Sequence, residues 1–177
     1  YLSEDTKRNI RQVTERLGVE CLIDTSPHMP TIFVDSLKRH SNVCNGCFKA
    51  LYTLSMKIAF ERGIPLIITG LSRGQFFETR LSKFYNVDDF DAERLDRTIL
   101  DARKLYHRMD DVIARTLDTR VFHEDRIFEE VRIIDFYRYI DVGVDELYAY
   151  LTDRIGWVRP TDTGRSTNCV INDLGIY

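Results

Sequence analysis

Cys44-Asn45-Gly46-Cys47 and, one helix and one strand later, Thr69-Gly70-Leu71-Ser72-Arg73-Gly74-Gln75 are the stretches whose reading decides the fold. Residues 48–60 lie between them, with Leu51, Leu54 and Ile58 at helical spacing and a stop at Gly63. Residues 65–69 (Pro-Leu-Ile-Ile-Thr) form an apolar run of the kind that fills a buried parallel strand. A paired thiol therefore opens an α/β unit, and a glycine loop follows its strand. Open α/β sheets bind ligands at the carboxyl ends of their strands, so both features are expected to meet one cleft.

The pattern extends in both directions. Ser3 is a suitable helix N-cap, with Glu4 and Asp5 in the first turn, then Ile10, Val13 and Leu17 on one face and Gly18 as the stop. Residues 19–23 read as a short strand, Pro27 and Pro30 as breaks, and 31–38 as a short helix. The spacing predicts a helix over 76–84, an acidic turn at 88–91 and one long helix over 92–117. Then come a second buried strand at 131–136, a turn at 141–143, a helix at 144–154 and a loop-rich tail containing Cys169. Strands alternating with helices predict an α/β fold, a parallel twisted sheet with flanking helices. Three strands are few for such a sheet. With a helix starting directly after Tyr1, the expectation is a partial α/β domain over 1–156 lacking its N-terminal strands, followed by a tail over 157–177.

The 177 residues carry a net charge of -3, with 44% hydrophobic and 30% charged residues. That balance gives no general attraction to nucleic acid or to anionic lipid. Local basic patches leave RNA open, behind a small-molecule or carrier-bound acceptor. No apolar run is long enough to span a membrane. Four cysteines are too few for a disulfide scaffold, and the close pair predicts a reducing compartment, the cytoplasm. Aromatic residues at 84–85 and the long helix suggest a homodimer.

Several residues are candidates for chemistry. Asn45-Gly46 favours a tight turn that lets the Cys44 and Cys47 sulfurs converge, and a helix starting after Cys47 would stabilise a thiolate through its dipole. With Cys169 as third ligand, the thiolates suit a [4Fe-4S] cluster with one iron open to a small ligand; with His40 added they suit zinc; the pair alone suits a redox disulfide. Cys21 is expected to be a small core residue. In the loop, Gly70 and Gly74 permit close backbone approach. Ser72 and Gln75 are placed to hydrogen-bond a base or ribose, Arg73 and Arg80 to steady phosphate, and Glu78 to hold a metal or hydroxyl. Asp110, Asp111, Arg115 and Asp118 read as a solvated helix face, and His107 and His123 as structural.

On these residues the chain resembles the PP-loop ATP pyrophosphatases, the adenine nucleotide α-hydrolase-like (HUP) superfamily, in its sulfur-transferring branch. The likeness is best over 44–81. Cys-x-x-Cys, a helix and a strand ending in Thr69-Gly70 follow that order. The run to Gln75 is similar to the loop of the tRNA 4-thiouridine synthetases. Glu78-Thr79 matches the 2-thiocytidine synthetases, while Leu71, Gly74 and Gln75 replace their polar residues. Ile133-Ile134-Asp135-Phe136 and the helix around Asp145-Glu146-Leu147 resemble the second half of the fold. The family's Ser-Gly-Gly-x-Asp-Ser loop would stand ahead of Tyr1, so the resemblance implies the remainder of a longer polypeptide. It also implies ATP with magnesium, adenylation of an acceptor, and displacement of AMP by sulfur. Cys44, Cys47 and Cys169 would carry sulfur or a metal centre, and Gly70, Ser72, Arg73, Gly74, Gln75 and Glu78 would line the nucleotide pocket. An amide-forming ligase of the same superfamily with structural zinc, and a non-catalytic fragment, are the competing readings.

Overall fold

The Ser3 hydroxyl accepts from the Thr6 N–H (3.2 Å) and opens helix α1, Glu4–Leu17. Gly18 closes it in the left-handed region (φ 63°), donating to Thr14 and Glu15 carbonyls. Cap and stop are local and match the sequence, but the expected apolar face does not fully hold: Leu17 is exposed, Ile10 and Val13 are half-buried, and the buried residues of α1 are Thr6 and Asn9. The structure, a computed structural model, describes residues 2–71 and 92–162. Helix α2 runs Met29–His40 with Pro30 in its first turn, and α3 runs Cys44–Glu61. Strand β1, Leu66–Thr69, follows. Helix α4, Ala92–Arg108, and α5, Val112–Thr116, lead to a 3-10 turn at Arg120–His123 and to α6, Arg126–Glu130. Strand β2 is Arg132–Asp135, and α7 is Val144–Tyr150, extended by a wide turn at Leu151–Ile155.

The fold is mixed α/β with a small parallel sheet. Strands β1 and β2 pair in parallel, Leu66 opposite Arg132 through Thr69 opposite Asp135. Contacts divide the chain into two compact units, 1–45 with 142–177 and 46–141.

In the second unit, Met56 and Ala59 of α3 pack against Phe122, Ile127, Phe128 and Val131, with Phe60, Ile67 and Ile133 alongside. The second face of β1 is left uncovered by the described residues. Ile68 is 64% exposed and Leu66 is also exposed, so the expectation of a strand buried on both faces is corrected. The long helix expected over 92–117 is also broken. After Arg108 the chain turns, and Asp111 restarts it as the N-cap of α5, accepting from the N–H groups of Ile113 (2.9 Å) and Ala114 (3.1 Å).

Asp111 is not part of a solvated face. It is 8% exposed and pairs with Lys49, 6% exposed, at 2.5 Å. Lys49 also lies over the Tyr106 ring at 5.3 Å. His107 is structural, as expected: it is buried, its Nδ1 lies 3.2 Å from Thr53 Oγ1, and its ring stacks on Phe122 at 4.6 Å. His123 is exposed on the 3-10 turn.

In the first unit, residues 19–23 form no strand. Val19, Leu22 and Ile23 are exposed, and so is Cys21, which is not a core residue. β-propensity alone does not make a strand without a neighbour to pair with. Residues 157–162 of the expected tail are tied to α1. The Asp5 carboxylate accepts from Thr161 N–H (2.9 Å) and hydroxyl (3.0 Å), and Asn9 exchanges hydrogen bonds with both backbone groups of Val158. The helix over 76–84, the acidic turn at 88–91, and residues 163–177 lie outside the described residues.

Two predictions follow from this packing. Lys49→Ala is expected to cost about 3 kcal/mol in denaturant unfolding, because it strands a buried carboxylate, while Lys49→Met combined with Asp111→Leu recovers most of that loss. Acid sensitivity is the second. The Thr161 backbone and hydroxyl hold Asp5 below its ordinary pKa, Arg120 does the same for Asp118, and Arg108 with Lys104 for Asp125. A lowered folded-state pKa gives stability that is present above the unfolded value and lost as pH falls through the folded value. Melting temperature should therefore hold down to about pH 4 and fall below it, the unfolded carboxylates titrating there. Asp125→Asn should flatten the fall.

Candidate functional site

Parallel pairing sets the carboxyl ends of β1 and β2 side by side. Thr69 ends β1 and Asp135 ends β2, and they are register partners. The Thr69 hydroxyl donates to Asp135 Oδ1 at 2.6 Å, and Asp135 is buried. This bond locks the edge that Gly70 follows. Gly70 follows at once, and a Cβ built there meets nothing within 4 Å. Its backbone conformation does not demand glycine either, since its φ is not in the positive region. Among the described residues nothing crowds Gly70, where backbone could approach a ligand closely. Of the expected nucleotide residues, Gly70 is placed at this edge. Ser72, Arg73, Gly74, Gln75 and Glu78, like Arg80, lie outside the described residues.

The two thiols are placed differently from the expectation. Helix α3 begins at Cys44, not after Cys47, so Asn45 and Gly46 belong to its first turn. Asn42 makes this start: its Oδ1 accepts the Cys44 N–H at 2.6 Å. The asparagine two residues ahead thus satisfies the first N–H of the helix, and the tight turn expected at Asn45-Gly46 does not form. Cys44 and Cys47 are both half-buried thiols outside any disulfide. Three residues apart on one helix, they are neighbours, with Cβ atoms about 5–6 Å apart. At about 100° per residue, they lie on the side of α3 away from Lys49, Thr53 and Met56, which face the interior.

Turn residues 62–65 reverse the chain between α3 and β1, and α3 lies over the sheet through Met56 and Ala59. A helix rises about 1.5 Å per residue and a strand about 3.3 Å. From the shared turn α3 runs about 21 Å back to Cys47 and β1 about 10 Å to Thr69, so Cys47 lies about 11 Å past the sheet edge. Cys47 is therefore removed from the sheet edge along the helix, and both cysteines are on the outer side of α3 rather than on its packed side.

Two adjacent thiols at a helix N-terminus can bind a soft metal, close a disulfide or carry persulfide sulfur. Among the described residues no three Cys, His, Asp or Glu side chains gather into a metal-binding group, so His40 does not complete one with Cys44 and Cys47. Cys169 lies outside the described residues.

The hydrogen-bonding partners at these positions that sequence reasoning missed are Asp135 and Asn42. Asp135 was visible only as part of an apolar strand, and its pairing with Thr69 needs the register. No helix of the described residues is long and apolar enough to cross a membrane.

No family model matches this sequence, and comparison with curated proteins and with solved structures gives no match either.

Gly70→Ala is expected to change unfolding stability by less than about 0.5 kcal/mol, because the new methyl enters open space. Thr69→Val should cost about 1–3 kcal/mol by removing the donor to a buried carboxylate. Both are read by denaturant titration.

Proposed function

We propose that this chain belongs to an adenylate-forming enzyme of the PP-loop type that transfers sulfur to an acceptor. The observation that carries the reading is the carboxyl edge of β1 and β2, where Thr69 and Asp135 are joined and Gly70 is uncrowded by any described residue. A parallel edge followed directly by a glycine loop is the usual seat of a nucleotide in an α/β sheet.

In this reading ATP activates an acceptor oxygen as the adenylate, with release of pyrophosphate. Gly70 lets the backbone approach the nucleotide, and Ser72, Gln75 and Gly74 complete the wall. Arg73 bears on phosphate charge, and Glu78 on magnesium or a hydroxyl. A sulfur nucleophile then attacks the activated carbon, and AMP leaves with the C–O electron pair. One of Cys44 and Cys47, loaded by a donor as a persulfide in the first turn of α3, makes that attack through its outer sulfur. The other thiolate then breaks the S–S bond, releasing the thiolated acceptor and leaving a Cys44–Cys47 disulfide that an external thiol reductant reopens. Their place on the outer side of the helix suits a sulfur carrier, which must be reached by a donor before it meets the acceptor.

Cys44 and Cys47, with Cys169, are also the residues that would hold a [4Fe-4S] cluster or zinc. A cluster with an open iron would supply bound sulfide, and zinc would supply structure alone. The acceptor fits a small or carrier-bound molecule better than RNA, given the acidic balance of the chain. A reducing compartment such as the cytoplasm keeps the thiols in the required state.

The test separates the two half-reactions in the polypeptide that carries the expected pyrophosphate loop. Gly70→Ala is expected to weaken ATP-dependent pyrophosphate release while leaving the fold intact. Cys44→Ser and Cys47→Ser are expected to leave pyrophosphate release at the parental rate and to abolish thiolation. Pyrophosphate release coupled to ammonia incorporation, in a colourless zinc protein, would replace sulfur transfer by amide formation. No nucleotide affinity at all would leave a binding module.

A further inference from the structure

Asp135 is a buried carboxylate that the sulfur-transfer steps do not use. It is 5% exposed, and the Thr69 hydroxyl donates to its Oδ1 at 2.6 Å. The second oxygen, Oδ2, bonds to no described residue. It is also not among the enclosed side-chain atoms of the described residues that lack a bond, so it keeps an opening to solvent. Holding a carboxylate this far out of water on one neutral hydroxyl is costly. Buried polar groups are as a rule bonded, and an exception marks a bound water, an ion or a functional role. Asp111, buried to a similar degree, shows the contrast: Lys49 and two backbone N–H groups meet its oxygens.

Placement adds a second observation. Side chains alternate along a strand, so Thr69 and Asp135 share the sheet face of Ile67 and Ile133, which pack on the cluster under α3. They are also the last residues of β1 and β2. The pair is the polar end of an otherwise apolar face, at the carboxyl edge where α/β sheets seat ligands. Gly70, exposed and uncrowded by described residues, follows directly.

The hydrogens available decide what this pair can bind. A threonine hydroxyl has one hydrogen and an ionised carboxylate has none. Asp135 Oδ1 takes the one from Thr69, so Thr69 Oγ1 and Asp135 Oδ2 face a ligand as acceptors only. A phosphate there meets two acceptors and a like charge, and is repelled. The amine of adenine carries two N–H groups on one atom, but ring acceptors flank it. The ribose diol carries two O–H donors on adjacent carbons and satisfies both oxygens. An acidic side chain at the carboxyl end of a parallel strand serves a ribose hydroxyl in the same way in dinucleotide-binding folds.

We propose that Thr69 and Asp135 bind the 2′,3′-diol of the nucleotide's ribose, Asp135 Oδ2 accepting from one hydroxyl and Thr69 Oγ1 from the other. This rests on the nucleotide reading of the β1–β2 edge and adds which part of the nucleotide the edge holds. The sugar lies on the two strand ends, the phosphates lie away from Asp135, and the site selects ribonucleotides over deoxyribonucleotides.

The test titrates the polypeptide that carries the expected pyrophosphate loop with ATP and with 2′,3′-dideoxy-ATP, by calorimetry. The dideoxy nucleotide is expected to bind about ten- to a hundredfold more weakly, because it leaves a nearly buried carboxylate oxygen unmet. Asp135→Asn keeps the shape and an acceptor for the Thr69 hydroxyl. With its folding checked by circular dichroism, it should weaken ATP about tenfold and leave dideoxy-ATP unweakened. Thr69→Val, which removes the other acceptor, should act in the same direction to a smaller degree, so either variant suffices if the other does not fold. Equal affinity of the parental protein for the two nucleotides overturns the diol site and leaves the nucleotide reading standing. A folded Asp135→Asn that weakens both nucleotides alike, or neither, also overturns it. No affinity for either nucleotide overturns the diol site and the nucleotide reading together.

Discussion

Two parallel strands of four residues do not persist by themselves in water. What holds β1 beside β2 is the apolar cluster under α3. Met56, Phe122 and Ile127 are completely buried there, and Val131 nearly so. Ile67 and Ile133 contribute the sheet's inward side. Burial on that single face fixes the register, since a slip of one residue would turn Ile67 and Ile133 outward and bring Leu66 or Ile68 in. With the register fixed, Thr69 and Asp135 coincide at the carboxyl edge. The candidate nucleotide edge is therefore a consequence of hydrophobic packing about three residues away from it.

The same interior contains more polar groups than an apolar core needs. Lys49 and Asp111 pair out of water, His107 meets Thr53, and Arg103 donates to the Val131 carbonyl (3.5 Å) and the Met56 sulfur (3.6 Å). Buried pairs of this kind add little net stability, because desolvation offsets most of the attraction. Their geometric requirement is strict, however. Lys49 and Thr53 on α3 each have one partner position on the following helices, so α3 cannot slide or rotate against α4 without stranding a charge. That constraint also fixes which side of α3 faces outward, and so where Cys44 and Cys47 stand.

Sequence was a good guide where the cause was local. Ser3 and Gly18 bound α1 because capping is satisfied within a few residues, and Pro30 marks the start of α2 for the same reason. The strands at β1 and β2 were recognisable as apolar runs between helices. The misreadings share another cause. Asn45-Gly46 has turn chemistry, yet Asn42 captures the Cys44 N–H and starts the helix earlier. Residues 19–23 have strand composition but no partner strand among the described residues. Asp111 sits in a helical charge pattern, but a buried lysine distant in sequence draws it inward and breaks the helix into α4 and α5.

The sequence by itself determined the bounds of α1, the places of α3, β1 and β2, the Cys-x-x-Cys pair, and the glycine that follows β1, because these depend on neighbours along the chain. Tertiary structure alone decided that Thr69 meets Asp135 and that Asp111 is a buried partner of Lys49. Each of those depends on chain segments brought together by burial and by paired polar groups, and no local propensity encodes such a meeting.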